Sequence, residues 1–257
     1  MRPLSEARDP NKLPQGVTLE KPPFVPRMVM TDELKIVTAD VMNQWRGRKV
    51  FAPLLKYGIR PLDRLLFHGP PGNGKTMACY WIAKELGIPL YRVLCDQLRA
   101  PHLGETARNI ADVMTFFDAR TEPALCLWDE VESIFVDRKD GGGPVGRQEY
   151  GGALTVFMQY LDRWKSPTLL VMATNLPDHL DAALLSRIEL KLEFSGPSED
   201  QCRQLIEYWR ELLHDHGAEV WGPLLEERIA ARRPASFREL QQAIAYAARD
   251  WTARQCR

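Results

Sequence analysis

Residues 69–76 read Gly-Pro-Pro-Gly-Asn-Gly-Lys-Thr, directly after the apolar run Leu65-Leu66-Phe67 and before a helical pattern that runs towards Leu86. No other stretch restricts the fold so severely. A G-x-x-x-x-G-K-T loop requires a strand before it and a helix after it, because it works through backbone N–H groups that converge at a helix N-terminus. The glycines let those N–H groups approach phosphate oxygens, and the helix end adds partial positive charge. Lys75 then reaches the β- and γ-phosphates, and Thr76 offers its hydroxyl to Mg²⁺. Gly69, Pro70, Pro71, Gly72, Asn73, Gly74, Lys75, Thr76 and Met77 are the candidate nucleotide-binding segment. A plain glycine turn is the competing reading, and the strand-loop-helix context weighs against it.

Around this loop the chain alternates. Arg64–His68, Leu90–Cys95, Ala124–Trp128 and Thr168–Ala173 are short apolar runs of the kind buried on both faces of a sheet, and helical patterns separate them. Alternating β and α elements predict a parallel, doubly wound α/β sheet. Leu34, Val37, Val41 and Trp45 recur at helical spacing ahead of it. After Phe194 the strand signals stop, which predicts a small all-helical lid domain behind the sheet. Ser198 with Gln201 and Ser236 with Glu239 fit the capping-box spacing and mark two helix starts there. Pro3, Pro10, Pro14, Pro22, Pro23 and Pro26 crowd the beginning of the chain, where missing N–H groups oppose both helix and ladder. The expected organisation is a proline-rich extended arm over residues 1–30, an α/β nucleotide-binding core over 31–195 and the helical lid over 196–257. Gly141-Gly142-Gly143-Pro144 reads as a flexible loop.

A phosphate loop alone serves kinases, switches and ATPases alike, and a second acidic site separates them. Leu125-Cys126-Leu127-Trp128 ends in Asp129-Glu130, which puts two carboxylates at the carboxyl edge of the sheet beside the loop. Asp129 suits the Mg²⁺ shell together with Thr76, and Glu130 suits polarising a water for attack on the γ-phosphate of ATP. Asn175 closes the Thr168–Ala173 strand, where an amide can orient that water; an ordinary strand-end turn is its plainer role.

Residues 173–194, ATNLPDHLDAALLSRIELKLEF, together with GPPGNGKT and LCLWDE, resemble the AAA family of ATPases. The resemblance runs from about Thr31 to the C-terminus and carries the P-loop NTPase fold with it. It implies that GPPGNGKT is the Walker A motif and LCLWDE the Walker B motif, that Asn175 is sensor 1, and that Arg187 is the arginine finger. A finger of that kind completes the ATP site of a neighbouring subunit, so the resemblance also implies a ring, by family habit a hexamer. A structural salt bridge is the rival role for Arg187. Arg238, in Ser236-Phe237-Arg238-Glu239-Leu240, looks like the sensor-2 arginine of the lid, against the alternative of an exposed first-turn arginine.

The chain also departs from the family pattern. Leu190 stands where a second arginine is common, so a single finger is available. The substrate pore loop corresponds to His102 and Leu103 before Gly104-Glu105-Thr106, with His102 in place of the usual aromatic residue. A surface loop without substrate contact is the rival there.

Composition narrows the partners. With 34 Lys+Arg against 34 Asp+Glu the formal net charge is +0, which supplies no global field for nucleic acid or anionic lipid. No apolar run approaches the roughly 18 residues of a membrane span, and the first thirty residues lack the apolar stretch of a secretory signal. A cytoplasmic protein is expected. Cys79, Cys95, Cys126, Cys202 and Cys256 form no C-x-x-C pair and read as reduced thiols, not as a disulfide framework or zinc site. His214-Asp215-His216 lacks the third and fourth ligands a zinc site needs.

The resulting expectation is Mg²⁺-dependent ATP hydrolysis in a ring that remodels or threads a protein substrate, with a separately encoded protease or adaptor as a candidate partner. The alternatives are a DNA-associated loader or motor and an ATP-timed assembly switch.

Overall fold

The computed structural model describes residues 12–21, 28, 30, 32–135, 143–212 and 234–255, with 223, 225, 226 and 229 between the last two stretches. Of the expected Gly141-Gly142-Gly143-Pro144 loop, Gly141 and Gly142 lie outside the described residues, whereas Gly143 and Pro144 open the helix Gly143–Asp162, whose first turn tolerates a proline because its N–H groups have no intrahelical partner. His214-Asp215-His216, Cys256 and most of the proline-rich arm also lie outside the described residues.

The chain order is β1 (Val17–Glu20), α1 (Asp32–Arg46), a 3-10 segment (Arg48–Tyr57), β2 (Arg64–His68), α2 (Lys75–Leu86), β3 (Leu90–Leu94), α3 (Cys95–Leu98), α4 (Glu105–Asp118), β4 (Ala124–Asp129) and α5 (Glu132–Phe135). It continues with α6 (Gly143–Asp162), β5 (Thr168–Thr174), α7 (Ala182–Leu185), β6 (Leu190–Glu193), α8 (Glu199–Leu212) and α9 (Phe237–Gln255). The sheet order is β1-β3-β4-β5-β2-β6. All neighbours pair in parallel except β1, which lies antiparallel along β3 with Glu20 opposite Leu90. The doubly wound sheet is therefore the expected one, with an added edge strand. That strand comes from within the proline-rich stretch: Val17–Glu20 falls between Pro14 and Pro22, so every N–H needed for a ladder is present.

β4 and β5 are buried along their whole length because helices cover both faces. Alternate strand residues feed two separate cores. Leu66, Val93, Cys126, Trp128, Leu170 and Met172 pack with α4 and α6. Leu65, Phe67, Leu125, Leu127, Leu169 and Val171 pack with α1 and α2. A third cluster, Cys202, Leu205, Ile206, Leu225, Leu240, Ile244 and Ala247, joins α8 to α9. Cys79, Cys95, Cys126 and Cys202 are buried thiols without a disulfide.

The two capping boxes differ in detail. At Ser198 both halves form: Gln201 N donates to Ser198 Oγ at 3.1 Å, and Ser198 N donates to Gln201 Oε1 at 2.8 Å. At Ser236 the hydroxyl accepts from Glu239 N at 3.2 Å, but the Glu239 carboxylate reaches one residue further back, to Ala235 N at 2.9 Å.

Candidate nucleotide site

Because β2, β4 and β5 run parallel side by side, their carboxyl ends bring the phosphate loop, Asp129-Glu130 and Thr174-Asn175 to one edge. There a cavity of about 370 Å³ opens, lined by the loop from Pro71 to Met77, Arg92, Asp129, Glu130, Asn175 and, from the lid, Leu205, Phe237, Arg238 and Gln241.

The loop's path needs glycine at two points. Gly69 has φ 129°, and a Cβ there would sit 2.4 Å from the carbonyl oxygen of Phe194. Gly72 has φ 82°, and its Cβ would meet Arg238 Cβ at 2.9 Å. The second contact is the lid's seat on the loop, and Arg238 N donates to Gly72 O at 3.1 Å. A side chain at either position would force the loop or its neighbour to move.

Lys75 is buried, with its ammonium donating to Gly69 O at 2.6 Å, Pro70 O at 3.0 Å and Asn175 Oδ1 at 2.7 Å. Burial pulls its pKa down, the carboxylates of Glu132 and Asp129 oppose that, and Arg238 adds to it. Thr76 Oγ1 lies 3.4 Å from Asp129 Oδ2. A hydroxyl and a carboxylate side by side are the oxygen donors a small hard cation takes. Glu130 is exposed at the cavity, and with φ 55° it is the one residue other than glycine at positive φ among those described. Ala173 O holds Val131 N at 3.1 Å, and Glu130 O accepts from Ser133 N at 2.9 Å, so the peptide that follows the strained elbow is pinned at both its polar groups. A strained backbone at a candidate water-activating residue fits the habit of storing strain at functional sites, at a cost of order 1–3 kcal/mol.

Two residues at the edge were not singled out in the sequence. Glu132 Oε1 accepts from Asn175 N at 3.1 Å and from Asn175 Nδ2 at 3.2 Å, so it orients the amide whose oxygen meets Lys75. Its signal was in plain view as the third acid of Asp129-Glu130-Val131-Glu132. Arg92 Nη2 donates to Asp129 Oδ2 at 2.6 Å. Its signal was weaker: a single charge inside the apolar run Leu90–Leu94.

The remaining predicted residues lie elsewhere. Arg187 precedes β6, and Glu189 N donates to Arg64 O at the start of β2, so both sit at the opposite end of the sheet from the loop. Five strand residues at about 3.3 Å each put roughly 16 Å between those ends. Arg187 there forms a two-pronged pair with Asp162, Nε to Oδ1 at 2.7 Å and Nη2 to Oδ2 at 3.1 Å, and donates to Ala183 O at 2.9 Å. Within one chain it holds the salt bridge of the rival reading. His102 and Leu103 are exposed in the loop before α4, outside the cavity lining. No helix of the described residues is long and apolar enough to cross a membrane.

Residues 65–196 match the model of the family described as ATPases associated with various cellular activities, AAA. An uncharacterized AAA family ATPase of Sinorhizobium fredii is 36% identical over 142 residues, which cover 55% of this chain and 42% of that protein. A putative 26S proteasome regulatory subunit homolog of Methanothermobacter thermautotrophicus is 33% identical over 187 residues, 69% of this chain and 49% of its own length. This chain thus spans less than half of either relative. The crystal structure of the FIGL-1 AAA domain superposes with a TM-score of 0.61 at 19% identity, covering 88% of this chain and 72% of that one, a likeness of fold.

Proposed function

The chain belongs to the AAA family of ATPases, and from that membership we propose that it hydrolyses ATP with Mg²⁺ in a ring and uses the energy to remodel or thread a protein substrate. By family habit the ring is a hexamer. One observation carries the reading: Lys75, Thr76, Asp129, Glu130 and Asn175 converge on one cavity that Arg238 of the last helix closes.

The residues present fit the nucleotide and its metal. Gly74 lines the cavity with open space where a Cβ would stand, a buried ammonium faces the loop, and the metal donors are oxygens only. ATP supplies the phosphoryl group and Mg²⁺ offsets its charge. Lys75 and the loop N–H groups hold the phosphates, while Thr76 and Asp129 hold the metal. Glu130 takes the proton of the attacking water. Glu132 fixes Asn175 so that its amide orients that water. Arg238 brings positive charge from the lid, so nucleotide binding and lid position are linked.

Arg187 completes the site of a neighbouring subunit in this reading, which the distance within one chain supports. Its pair with Asp162 must open as the subunits meet. His102 and Leu103 contact the substrate in the pore. On the same footing the core spans residues 31–195 and the lid 196–257, with the arm of residues 1–30 lending one strand to the sheet.

The test separates binding from chemistry. Glu130→Gln keeps nucleotide affinity and loses turnover, because an amide holds a water but takes no proton, whereas Lys75→Ala loses affinity itself. Equal loss of affinity in both would remove Glu130 from its role.

A further inference from the structure

Arg92 stands in an unusual place. β3 pairs with β4 so that Leu94 lies opposite Asp129, and Arg92, two residues back on the same face, is its diagonal neighbour. A long side chain spans that gap, and the guanidinium reaches Asp129 Oδ2 at 2.6 Å. The same oxygen lies 3.4 Å from Thr76 Oγ1. A cation held by Thr76 and Asp129 would therefore compete with the Arg92 guanidinium for the Asp129 carboxylate.

The guanidinium is not fully satisfied where it is, since its buried Nε has no hydrogen-bond partner. A second acid stands on the neighbouring strand: Thr18 pairs with Arg92 across the β1–β3 ladder, so Glu20, two residues on, is the diagonal neighbour of Arg92 on the same face. Glu20, at the end of β1, is held by Tyr80, whose hydroxyl donates to Oε2 at 2.7 Å, and by Thr18, whose hydroxyl donates to Oε1 at 2.9 Å. Among the described residues Glu20 has no ion-pair partner within 4.0 Å. Burial alone would lower the Arg92 pKa; Asp129, then Tyr80 and Glu20, reverse that and raise it. The Thr18 hydroxyl oxygen also lies 3.3 Å from Arg92 O, a second acceptor for its single proton, so the edge strand touches the arginine's own backbone.

We propose that Arg92 is the protein's own stand-in for the divalent cation: it neutralises Asp129 until metal arrives with nucleotide, then swings towards Glu20 and so couples the metal state of the site to the edge strand β1. The inference rests on the nucleotide site proposed above. Arg92 is a positioning residue in this scheme, acting on the reaction through Asp129.

The sign of the effect distinguishes this from simple support. A residue that merely orients Asp129 for metal weakens metal binding when it is removed. A stand-in does the reverse: without Arg92, Asp129 repels phosphate in the absence of metal and is open to metal when it is present. The measurement is the affinity of the full chain for a fluorescent N-methylanthraniloyl-ADP, in EDTA and in Mg²⁺, with the gain on adding Mg²⁺ as the readout. Arg92→Gln raises that gain about three- to tenfold, the scale of one part-exposed charge-assisted pair. Glu20→Gln removes the second resting place and lowers the gain, and the double variant behaves like Arg92→Gln because Glu20 acts through Arg92. Arg92→Lys keeps a charge and falls between wild type and Arg92→Gln.

A fall or no change in the gain for Arg92→Gln overturns the proposal. Should that variant lose cooperative thermal unfolding, Glu20→Gln decides alone, and an equal or larger gain overturns it. A wild-type chain that binds the probe without any gain from Mg²⁺ overturns the metal reading and this proposal together, whereas a wild-type gain with unmoved variants overturns this proposal only.

Discussion

Asp63 is a carboxylic acid whose charge the fold opposes. It sits just before β2 with its carboxyl buried, 3.4 Å from Arg64 Nε, while Glu189 accepts from the backbone N–H groups of Asp63 and Arg64 and pairs with the Arg64 guanidinium. Burial first, then the charge of Glu189, push the Asp63 pKa from 3.8 up to about 7, against Arg64 and Arg60. The folded chain therefore holds a proton on Asp63 that the unfolded chain has released between about pH 4 and pH 7. Stability falls as pH rises through that window and levels off above it. Asp63→Asn supplies a neutral amide that donates to Glu189 as the protonated acid does. Its stability relative to wild type should grow from pH 5 to pH 8 in urea unfolding. A difference that stays constant across that range would mean that Asp63 is ionised throughout. This behaviour was not legible in the sequence, because Asp63 and Glu189 are 126 residues apart and meet only when β6 settles beside β2.

The helix that opens the lid is α8. Both halves of its capping box form at Ser198 and Gln201, and the helix then packs Leu205 and Ile206 against Leu240 and Ile244 of α9. Ser198→Ala removes the acceptor for Gln201 N and should cost about 1 kcal/mol of stability. Leu205 lines the nucleotide cavity, so the same change should loosen the lid and weaken nucleotide affinity by a smaller factor than Lys75→Ala does. Unfolding midpoints and nucleotide titration on one preparation check both. Loss of stability with an unchanged nucleotide affinity would show that this helix start does not govern the lid's seat. At this scale the sequence reading was sound for the four central strands, whose apolar runs are long, and blind to β1, whose four residues alternate weakly among prolines.

For the whole molecule, the separation of Arg187 from the phosphate loop leads to a test of assembly. Arg187→Ala should keep nucleotide binding and lose on the order of 10³-fold in hydrolysis, as for a missing arginine finger. Mixing it with Lys75→Ala should restore part of the turnover, because a mixed ring brings an intact loop against an intact Arg187. Wild-type turnover per chain should also rise steeply with protein concentration. If confirmed mixed assemblies recover nothing, Arg187 belongs to its pair with Asp162 alone, and that bridge is its whole role.

Local rules were enough to read the phosphate loop, the alternation of strand and helix, the acidic end of β4 and the helix starts at Ser198 and Ser236. Each is written in a few consecutive residues: glycine where φ is positive, apolar side chains at the strand period, and a hydroxyl three residues before its partner. Tertiary structure alone decided which charges meet. Arg92 finds Asp129 across 37 residues, Glu132 finds Asn175 across 43, and Gly72 receives the lid from Arg238. These contacts depend on sheet order, which sets β3 beside β4 and β4 beside β5. The period of a strand states which side chains share a face; the identity of the neighbouring strand is settled only when the helices pack and the whole sheet closes over its two cores.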